Sequence, residues 1–508
     1  MKFSFLKYIA LSGALLLSAC SSDFLETEPS DETGAATVFE TTDNAKLAIN
    51  GIARLMTNQH MGTQGFNGEG TIKMYYGNYP GNHFVVGLPG WSPIINGDYY
   101  DNVTSIYNYY PWYYYYKLIA NANEIIHNID GAEGPQEEID YIKAQALTYR
   151  AYSYSMLAQL YGNRWDDSNN GSTKALVLRL EPTSESMPLS SLGDVYDQVY
   201  RDLDDALELF DLSGYQRQEN FEIDASVAQA VYARAALNKQ DYETAANYAA
   251  EAKASYPLMN VADYKAGFAN PTSEWIWSSY GALDETLYFY SYFAYIAYNS
   301  TASAVRTTPK RISKELYDKI PASDIRRDLF LDPEGFDYNN NTGEAGDDLI
   351  ENAYDRYPDL ASNATIYAHM QFKVKANDQP GVGNLNHFRS SELYLIEAEA
   401  NYFLENETAA ANLLEELTAS TGRDPEYTCT LTGTDLFNEI KKYRAIELWG
   451  EGFDWFDTKR WNDPIDRKSV SEGGNFISSL AVKVEPHEKN KWTWKTPQKE
   501  VDTNDMID

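Results

Sequence analysis

The stretch YARAALNKQDYETAANYAAEA, from Tyr232 to Ala252, decides the fold. Alanine, leucine and tyrosine recur three and four residues apart on both sides of a short polar turn. This spacing places the apolar side chains of each half on one face of a helix. The stretch therefore predicts a hairpin of two helices, with small residues where the helices cross.

A second stretch repeats this pattern 164 residues later. The sequence AEANYFLENETAAANLLEEL, from Ala398 to Leu417, superposes on the first without a gap, so that Glu243-Thr244-Ala245-Ala246 matches Glu407-Thr408-Ala409-Ala410. Both hairpins resemble tetratricopeptide units, in which alanine permits close approach of the helix axes. The consensus Trp and Gly of that repeat are missing, so a chance match of two amphipathic hairpins stays open.

The rest of the chain alternates between helical and irregular sequence. Apolar periodicity predicts further helices at residues 43–56, 113–129, 137–161 and 190–210. Two long regions, 62–111 and 272–383, lack that period and are rich in Gly, Pro, Asn and aromatic residues. We therefore predict a mostly α fold, a tetratricopeptide-like scaffold of helical hairpins with long aromatic loop insertions.

Charge and aromatic content restrict the ligands. The 508 residues contain 75 Asp and Glu against 41 Lys and Arg, a formal net charge of -34, which repels nucleic acid. There are 41 Tyr against 20 Phe and 10 Trp, a bias toward rings with an apolar face and a polar tip. Such rings suit wet recognition surfaces, although we expect most of them to lie half-buried between helices.

The N-terminus is typical of an exported lipoprotein. Lys2 and Lys7 precede a short apolar run that ends in Leu17-Ser18-Ala19-Cys20, which resembles a bacterial lipobox. We predict a signal peptide over residues 1–19, lipidation of Cys20, and an acidic tether over residues 20–40; an ordinary signal peptide with a chance cysteine is the alternative. Cys429 would then be the only remaining thiol. No second apolar run is as long as a membrane span, so the lipid is the predicted anchor.

The sequence contains few signs of a catalytic or metal-binding motif. The six histidines are isolated from one another, and there is no Cys-x-x-Cys, phosphate loop or nucleophile elbow. Asp337, Asn339 and Asn341 alternate as in a calcium loop, but Gly343 falls one place late, which favours a solvated turn. We therefore predict no cofactor and no metal site. A pair of glycosidase carboxylates cannot be recognised among 75 acids.

Aromatic residues of the two irregular regions are the candidate ligand-binding residues. A sugar ring packs its C–H face on an aromatic ring, while amides and acids satisfy its hydroxyls. For each residue alone a structural role is the simpler interpretation, but as a set they predict a stacking platform. The candidates are Trp91, Tyr99, Tyr100, Asn102, Tyr280, Tyr288, Tyr290 and Tyr292.

Several motifs resemble the SusD/RagB family of outer-membrane nutrient-binding lipoproteins of the Bacteroidetes. They are ALTYRAYSYSMLAQLYG (146–162), VYDQVYRDLDDALELF (195–210), HFRSSELYLIEAEA (387–400), IKKYRAIELWGEGFDWFDTKRWN (440–462) and WTWKTPQKEVDTN (492–504). The fourth is the most specific. Two positions depart from the family pattern: Tyr443 precedes Arg444 where Glu is common, and Asp454 stands where Arg is usual. These motifs are scaffold, so they favour the fold and say little about the ligand.

The resemblance implies a surface protein that captures glycan fragments without cutting them. It would be anchored by lipid in the outer membrane, facing outward, and would cover a SusC-like TonB-dependent transporter. Residues 41–270 and 271–508 would form the N-terminal and C-terminal parts of one continuous fold. By a loose match to relatives, Tyr99 and Asn102 would lie near the ligand, just before the helix that carries Tyr116, Ile119 and Asn123.

Three alternatives remain. A RagB-like protein would bind peptide on the same fold, and a surface glycoside hydrolase would cleave the glycan. A purely structural transporter lid would have lost its binding pocket, although the tyrosine-rich loops argue against such decay.

Overall fold

The computed structural model describes residues 35–62, 65–282 and 290–507. The predicted signal peptide, Cys20, most of the tether and Tyr288 lie outside these residues. The end of the predicted tether is a short helix, Ala35–Val38, followed by Phe39, which packs into the core. The Glu133 amide donates to the Glu40 carbonyl at 2.8 Å, which ties this segment to the body.

Helices dominate the described residues, as predicted. The longer ones are α1 (Thr42–Leu55), α2 (Ile106–Asn128), α3 (Gln136–Tyr161), α4 (Leu192–Ser213), α5 (Ala225–Asn238), α6 (Tyr242–Lys253), α7 (Asp347–Arg356), α8 (Ser390–Phe403), α9 (Glu407–Thr418), α10 (Gly433–Glu447) and α11 (Asp454–Trp461). Short helices span Gly68–Thr71, Ser92–Ile95, Val261–Tyr264, Tyr292–Ile296, Ser303–Arg306, Lys314–Tyr317 and Gln498–Thr503. No helix within the described ranges is both long enough and apolar enough to cross a membrane.

The two predicted hairpins are present as α5–α6 and α8–α9. Asp241 caps α6 by accepting from the Thr244 amide, while buried Ala245, Ala249 and Ala252 face the neighbouring helices. The helices α2, α3, α4, α5 and α6 pack each on the next, and α6 also packs on α8. Helical packing is therefore continuous from the N-terminal part of the chain into the C-terminal part.

Strands are short and occur in antiparallel pairs. They are β1 (Phe84–Val85), β2 (Lys174–Leu176), β3 (Ser190–Ser191), β4 (Trp275–Ser279), β5 (Arg311–Ile312), β6 (Leu385–Arg389), β7 (Ile465–Asp466) and β8 (Lys483–Val484). The pairs are β1 with β5, β2 with β3, β4 with β6, and β7 with β8. The β1–β5 pair joins the two aromatic regions, and its two strands are more than 200 residues apart in sequence.

Helix α2 begins earlier than its apolar period predicts. It is capped by Ser105 and runs through Pro111, which lacks the amide that would bond the Tyr107 carbonyl. The Tyr76 hydroxyl donates to that carbonyl at 2.8 Å and so replaces the missing partner. A tertiary contact therefore permits a proline inside this helix.

The first aromatic region is more helical than predicted. Gly68–Thr71 and the π-helical turn Ile72–Asn78 form one buried helical segment. The second region was predicted to be irregular, but it contains helix α7 and the short helices Tyr292–Ile296, Ser303–Arg306 and Lys314–Tyr317. In α7, Leu349 and Ala353, one turn apart, are buried on one face. The turn at Asn339 is irregular as predicted, and the Asn339 Oδ1 accepts from the Asn341 amide at 2.8 Å. No cluster of three or more His, Cys, Asp or Glu suited to a metal ion occurs among the described residues.

Candidate functional site

The two aromatic regions meet in a group of rings that we call the Trp91 cluster. The Tyr75 hydroxyl, from the first region, donates to the Tyr295 hydroxyl of the second at 3.0 Å. The Trp91 ring lies 5.6 Å from the Tyr75 ring and 6.1 Å from the Tyr295 ring. Tyr79 packs on Trp91 and Tyr290 packs on Tyr295, at 6.4 Å in both pairs. Contacts between the two regions thus assemble the cluster.

The cluster has a buried base and an accessible rim. Tyr75, Tyr79 and Tyr295 are at most 5% exposed, whereas Trp91 and Tyr290 are half-buried. Burial raises the pKa of Tyr295 to about 12, and burial raises that of Tyr75 further, so both hydroxyls stay protonated at neutral pH. The rim therefore offers aromatic surface above neutral hydroxyls, which suits an uncharged polar ligand.

The helical segment beneath the cluster is fixed by the turn at Gly450–Gly452. Buried Lys73 donates from Nζ to the Glu451 carbonyl at 3.0 Å, and Asn78 donates from Nδ2 to the Gly450 carbonyl at 2.8 Å. A Cβ added at Gly77 would lie 2.1 Å from the Gly452 carbonyl oxygen, so only glycine permits this approach. The turn lies in the motif at residues 440–462, the most specific of the family motifs. By holding the segment Gly68–Asn78, this motif fixes the position of Tyr75 in the Trp91 cluster.

A network of buried charges holds the turn at Gly450–Gly452 in place. Arg389 donates to Glu451 at 2.7 and 2.8 Å, to Glu447 at 2.8 Å and to Glu274 at 2.6 Å. Lys373 donates to Glu451 at 2.7 Å, while Arg423, Arg326 and Asp324 extend the network. Each buried carboxylate is thus paired, which is the condition for tolerating a charge away from water.

Three of these carboxyl groups are held ionised. Although burial opposes ionisation, the charges of neighbouring arginines, with Lys373, lower the pKa of Glu274 and Glu447 and bring that of Glu451 to about 2. A general acid in glycoside hydrolysis needs the opposite shift. This group of acids is therefore suited to structural ion pairing and not to proton donation.

Many tyrosines are buried in the core and form hydrogen bonds there. Glu69, 1% exposed, accepts hydrogen bonds from the hydroxyls of Tyr114, Tyr115 and Tyr152 at 3.2, 3.0 and 2.7 Å. Burial raises the pKa of this carboxyl despite those donors. The bias toward tyrosine is thus explained in part by internal hydrogen bonding.

Two of the predicted site residues lie in the core. Tyr99 is 2% exposed, packs on Tyr76 and Trp494, and donates to the Tyr75 carbonyl at 2.5 Å. Tyr292 is 7% exposed and donates to the Gly450 carbonyl at 2.7 Å. Both rings are covered in this structure. Through their hydroxyl groups they hold the backbone at Tyr75 and at Gly450, which supports the Trp91 cluster.

The other predicted residues are dispersed. Tyr100 is half-buried beneath Lys489, whose Nζ lies 5.1 Å from the ring centroid, and burial raises the pKa of Tyr100 to about 12. Asn102 is exposed and accepts from the Thr104 hydroxyl at 2.9 Å. Tyr280 packs on Phe221 at 5.4 Å, outside the cluster. Of the predicted set, the structure brings only Trp91 and Tyr290 together within the described residues.

Sequence reasoning missed Tyr75, Tyr79 and Tyr295 as members of this cluster. Tyr295 lies in the same tyrosine-rich stretch as Tyr290, on the short helix that Ser291 caps. That cap, followed by apolar residues, was the available signal for an ordered turn. Nothing local indicates that Tyr75 should face Tyr295, because 220 residues separate them.

Two family models together match nearly the whole chain. The model described as "Starch-binding associating with outer membrane" matches residues 23–237, and the model described as "SusD family" matches residues 227–508. The second alone spans more than half of the chain.

Individual relatives agree in length and fold. SusD-like protein P2 of Formosa agariphila is 23% identical over 492 residues, covering 89% of this chain and 90% of the relative. A SusD-like carbohydrate binding protein from Bacteroides vulgatus superposes with a TM-score of 0.74 at 24% identity, covering 92% of this chain and 98% of the other. A SusD superfamily protein from Bacteroides thetaiotaomicron gives 0.72 at 23% identity, covering 92% and 99%. The chain belongs to the SusD family.

Proposed function

We propose that this protein binds oligosaccharides on the Trp91 cluster without cleaving them. The observation that carries the proposal is the packing of two half-buried rings from distant parts of the chain, Trp91 and Tyr290, on the same buried ring, Tyr295, which is hydrogen-bonded to Tyr75. Because the base is buried and fixed, the rings lose little further freedom on binding a ligand. The name of the Bacteroides vulgatus relative, a carbohydrate binding protein, supports the same ligand class.

The exposed polar groups of the first aromatic region extend the proposal. Tyr100 and Asn102 would contact a longer ligand beyond the rings, with Asn102 bonding hydroxyl groups. Tyr280 and Tyr288 remain proposed contacts from the second region. We assign Tyr99 and Tyr292 a supporting role.

The proposed role is capture at the cell surface followed by transfer. Lipid on Cys20 would hold the protein to the outer membrane, facing outward, and the bound glycan would pass to a SusC-like TonB-dependent transporter. Metabolic labelling with a fatty acid tests the anchor: wild type should incorporate label and Cys20→Ser should not. Co-purification of the transporter from the native membrane tests the partner.

Calorimetry tests the ligand class. The chain from residue 21 to 508, which contains every described residue, would be titrated with neutral and acidic oligosaccharides and with a peptide digest, and chain lengths would be measured afterwards. Saturable heat with a neutral or acidic glycan and unchanged chain length supports the proposal. Binding to peptides alone would favour the RagB-like alternative, and shortened chains would establish an enzyme.

A further inference from the structure

A second groove lies along helix α2, on the side away from the Trp91 cluster. Its volume is about 500 Å³, and it lies between α2 and the segment from Arg179 to Thr183. This volume is within the range of about 300–1,000 Å³ that is usual for small-molecule sites. We call it the α2 groove.

Aromatic rings form one wall and the floor of this groove. Tyr109 and Tyr113, one helical turn apart, are half-buried, and their ring centroids are 5.9 Å apart. Trp112, which is buried, and Tyr116, which is half-buried, are also one turn apart, and their ring centroids are 4.9 Å apart. The i, i+4 spacing thus places four rings along one strip of the helix. The strip sets the half-buried rings of Tyr109, Tyr113 and Tyr116 beside buried Trp112. Lys499 Nζ lies 4.6 Å from the Tyr109 ring centroid and Lys117 Nζ 5.8 Å from that of Tyr113, so one face of each of these two rings is next to an ammonium group.

Polar groups of both charges line the rest of the groove. Glu500 accepts from the Trp112 indole nitrogen at 3.1 Å and lies 3.7 Å from the Arg179 guanidinium. Lys117, Glu124 and Glu181 lie further along. Two cations face three carboxylates, so the lining carries a small net charge in a chain whose total is -34. This balance suits a ligand with many hydroxyls and no charge of its own.

The two walls are fixed to each other. The Tyr116 hydroxyl donates to the Val177 carbonyl at 2.7 Å and accepts from the Val177 amide at 3.0 Å. Asn123 donates to the Arg179 carbonyl at 2.9 Å, and buried Arg150 donates to both Asn123 and the Leu180 carbonyl. Because these bonds lie behind the rings, the groove keeps its width without a ligand.

We propose that the α2 groove is a second binding site for an uncharged oligosaccharide, separate from the Trp91 cluster. Tyr109 and Tyr113 stack on the sugar rings through the faces that Lys499 and Lys117 do not cover, while Arg179 and the carboxylates bond the hydroxyls. The site does not depend on the proposed function of the Trp91 cluster, since the two share no residue. Tyr107 packs toward the cluster, on Tyr75, whereas Tyr109 packs on Tyr113.

Hydrogen–deuterium exchange with calorimetry tests this site. Residues 21–508 would be measured with and without neutral oligosaccharides, acidic oligosaccharides and peptides, in wild type, Tyr113→Ala and Tyr338→Ala. Tyr338 is also half-buried, on another part of the surface, and belongs to neither site, so it is the matched control. Neutral oligosaccharides should slow exchange in residues 106–124 and 177–184. Tyr113→Ala should weaken that binding about tenfold, while Tyr338→Ala should leave it unchanged.

The two sites are distinguished by a second background. In Trp91→Ala, the oligosaccharide should still protect residues 106–124 from exchange. Loss of binding at the Trp91 cluster is thereby distinguished from loss of binding at the α2 groove. The proposal is overturned if no neutral oligosaccharide protects these residues, if only acidic glycans or peptides do so, or if Tyr113→Ala binds as tightly as wild type. Wild-type protection decides the question even if the variant folds poorly.

Discussion

Replacing Arg389 by alanine should remove about 3–5 kcal/mol from the free energy of unfolding. The guanidinium makes five hydrogen bonds, four to carboxylate oxygens and one to the Glu447 carbonyl, and is 1% exposed. Alanine leaves Glu274, Glu447 and Glu451 facing one another in the interior. Hydrogen bonds to charged groups contribute about 1.5–3 kcal/mol each, but they are not additive here. Arg423 and Lys373 still neutralise part of the charge, which limits the loss.

Urea denaturation, followed by tryptophan fluorescence and far-ultraviolet circular dichroism, measures this loss. Lys375→Ala is the control, because it removes an ion pair with Asp359 in which the two side chains are 38% and 53% exposed. Exposed pairs contribute about 0–1 kcal/mol, so the control should be close to wild type. If Arg389→Ala were no less stable than the control, the claim that the buried network stabilises the turn under the Trp91 cluster would be refuted.

Three further predictions concern buried groups. Burial lowers the pKa of Lys310 to about 7, so the wild-type unfolding free energy should rise between pH 7 and pH 10, because the unfolded chain still binds a proton there that the folded chain does not. Burial also lowers the pKa of Lys73, to about 8, so Lys310→Met should show a smaller rise than wild type in urea titrations, and an equal rise in both proteins would contradict the argument. Burial raises the pKa of Glu69, so stability should fall as pH rises above about 4.5; Glu69→Gln should flatten that decline, and an equal slope in both proteins would contradict the argument. Tyr99→Ala should cost on the order of 3–5 kcal/mol because its ring is fully packed; an unchanged melting temperature would place this ring outside the core.

The helical scaffold could be predicted because its signals are local. Helix α3 begins and ends within one residue of its predicted bounds, and α4 ends before Gly214 in the left-handed conformation, as its sequence indicates. Both hairpins follow from alanine spacing. In each case the residues that decide the element lie inside it or next to it.

The Gly68–Asn78 helical segment could not be predicted in this way. It contains three glycines and no apolar period, so local preference argues against a helix. Its stability comes from distant partners, chiefly the Glu451 carbonyl that accepts from Lys73. Likewise, a proline such as Pro111 normally lies at the start of a helix and not inside one. Here the Tyr76 hydroxyl donates to the Tyr107 carbonyl, which the proline cannot bond, and the sequence near Pro111 does not indicate this contact.

The sequence predicted that the candidate site would be aromatic, but it identified only some of the residues that form it. A surplus of aromatic residues in irregular sequence included Trp91 and Tyr290 among the predicted binding residues, and the structure packs both of them on Tyr295. Composition could not separate Trp91 from Tyr99, because one of the rings that cover Tyr99 belongs to Trp494, 395 residues further on. Which ring is left accessible depends on such long-range packing.

The most direct test of the central claim is the affinity of Trp91→Ala and Tyr290→Ala for the tightest-binding oligosaccharide, measured by calorimetry beside Tyr338→Ala. Losing one stacking ring should weaken binding by about tenfold, or roughly 1.4 kcal/mol, with the melting temperature near that of wild type. Tyr338→Ala should bind as wild type does. If Trp91→Ala and Tyr290→Ala both bound this oligosaccharide as tightly as wild type, the Trp91 cluster would not be the surface that binds it.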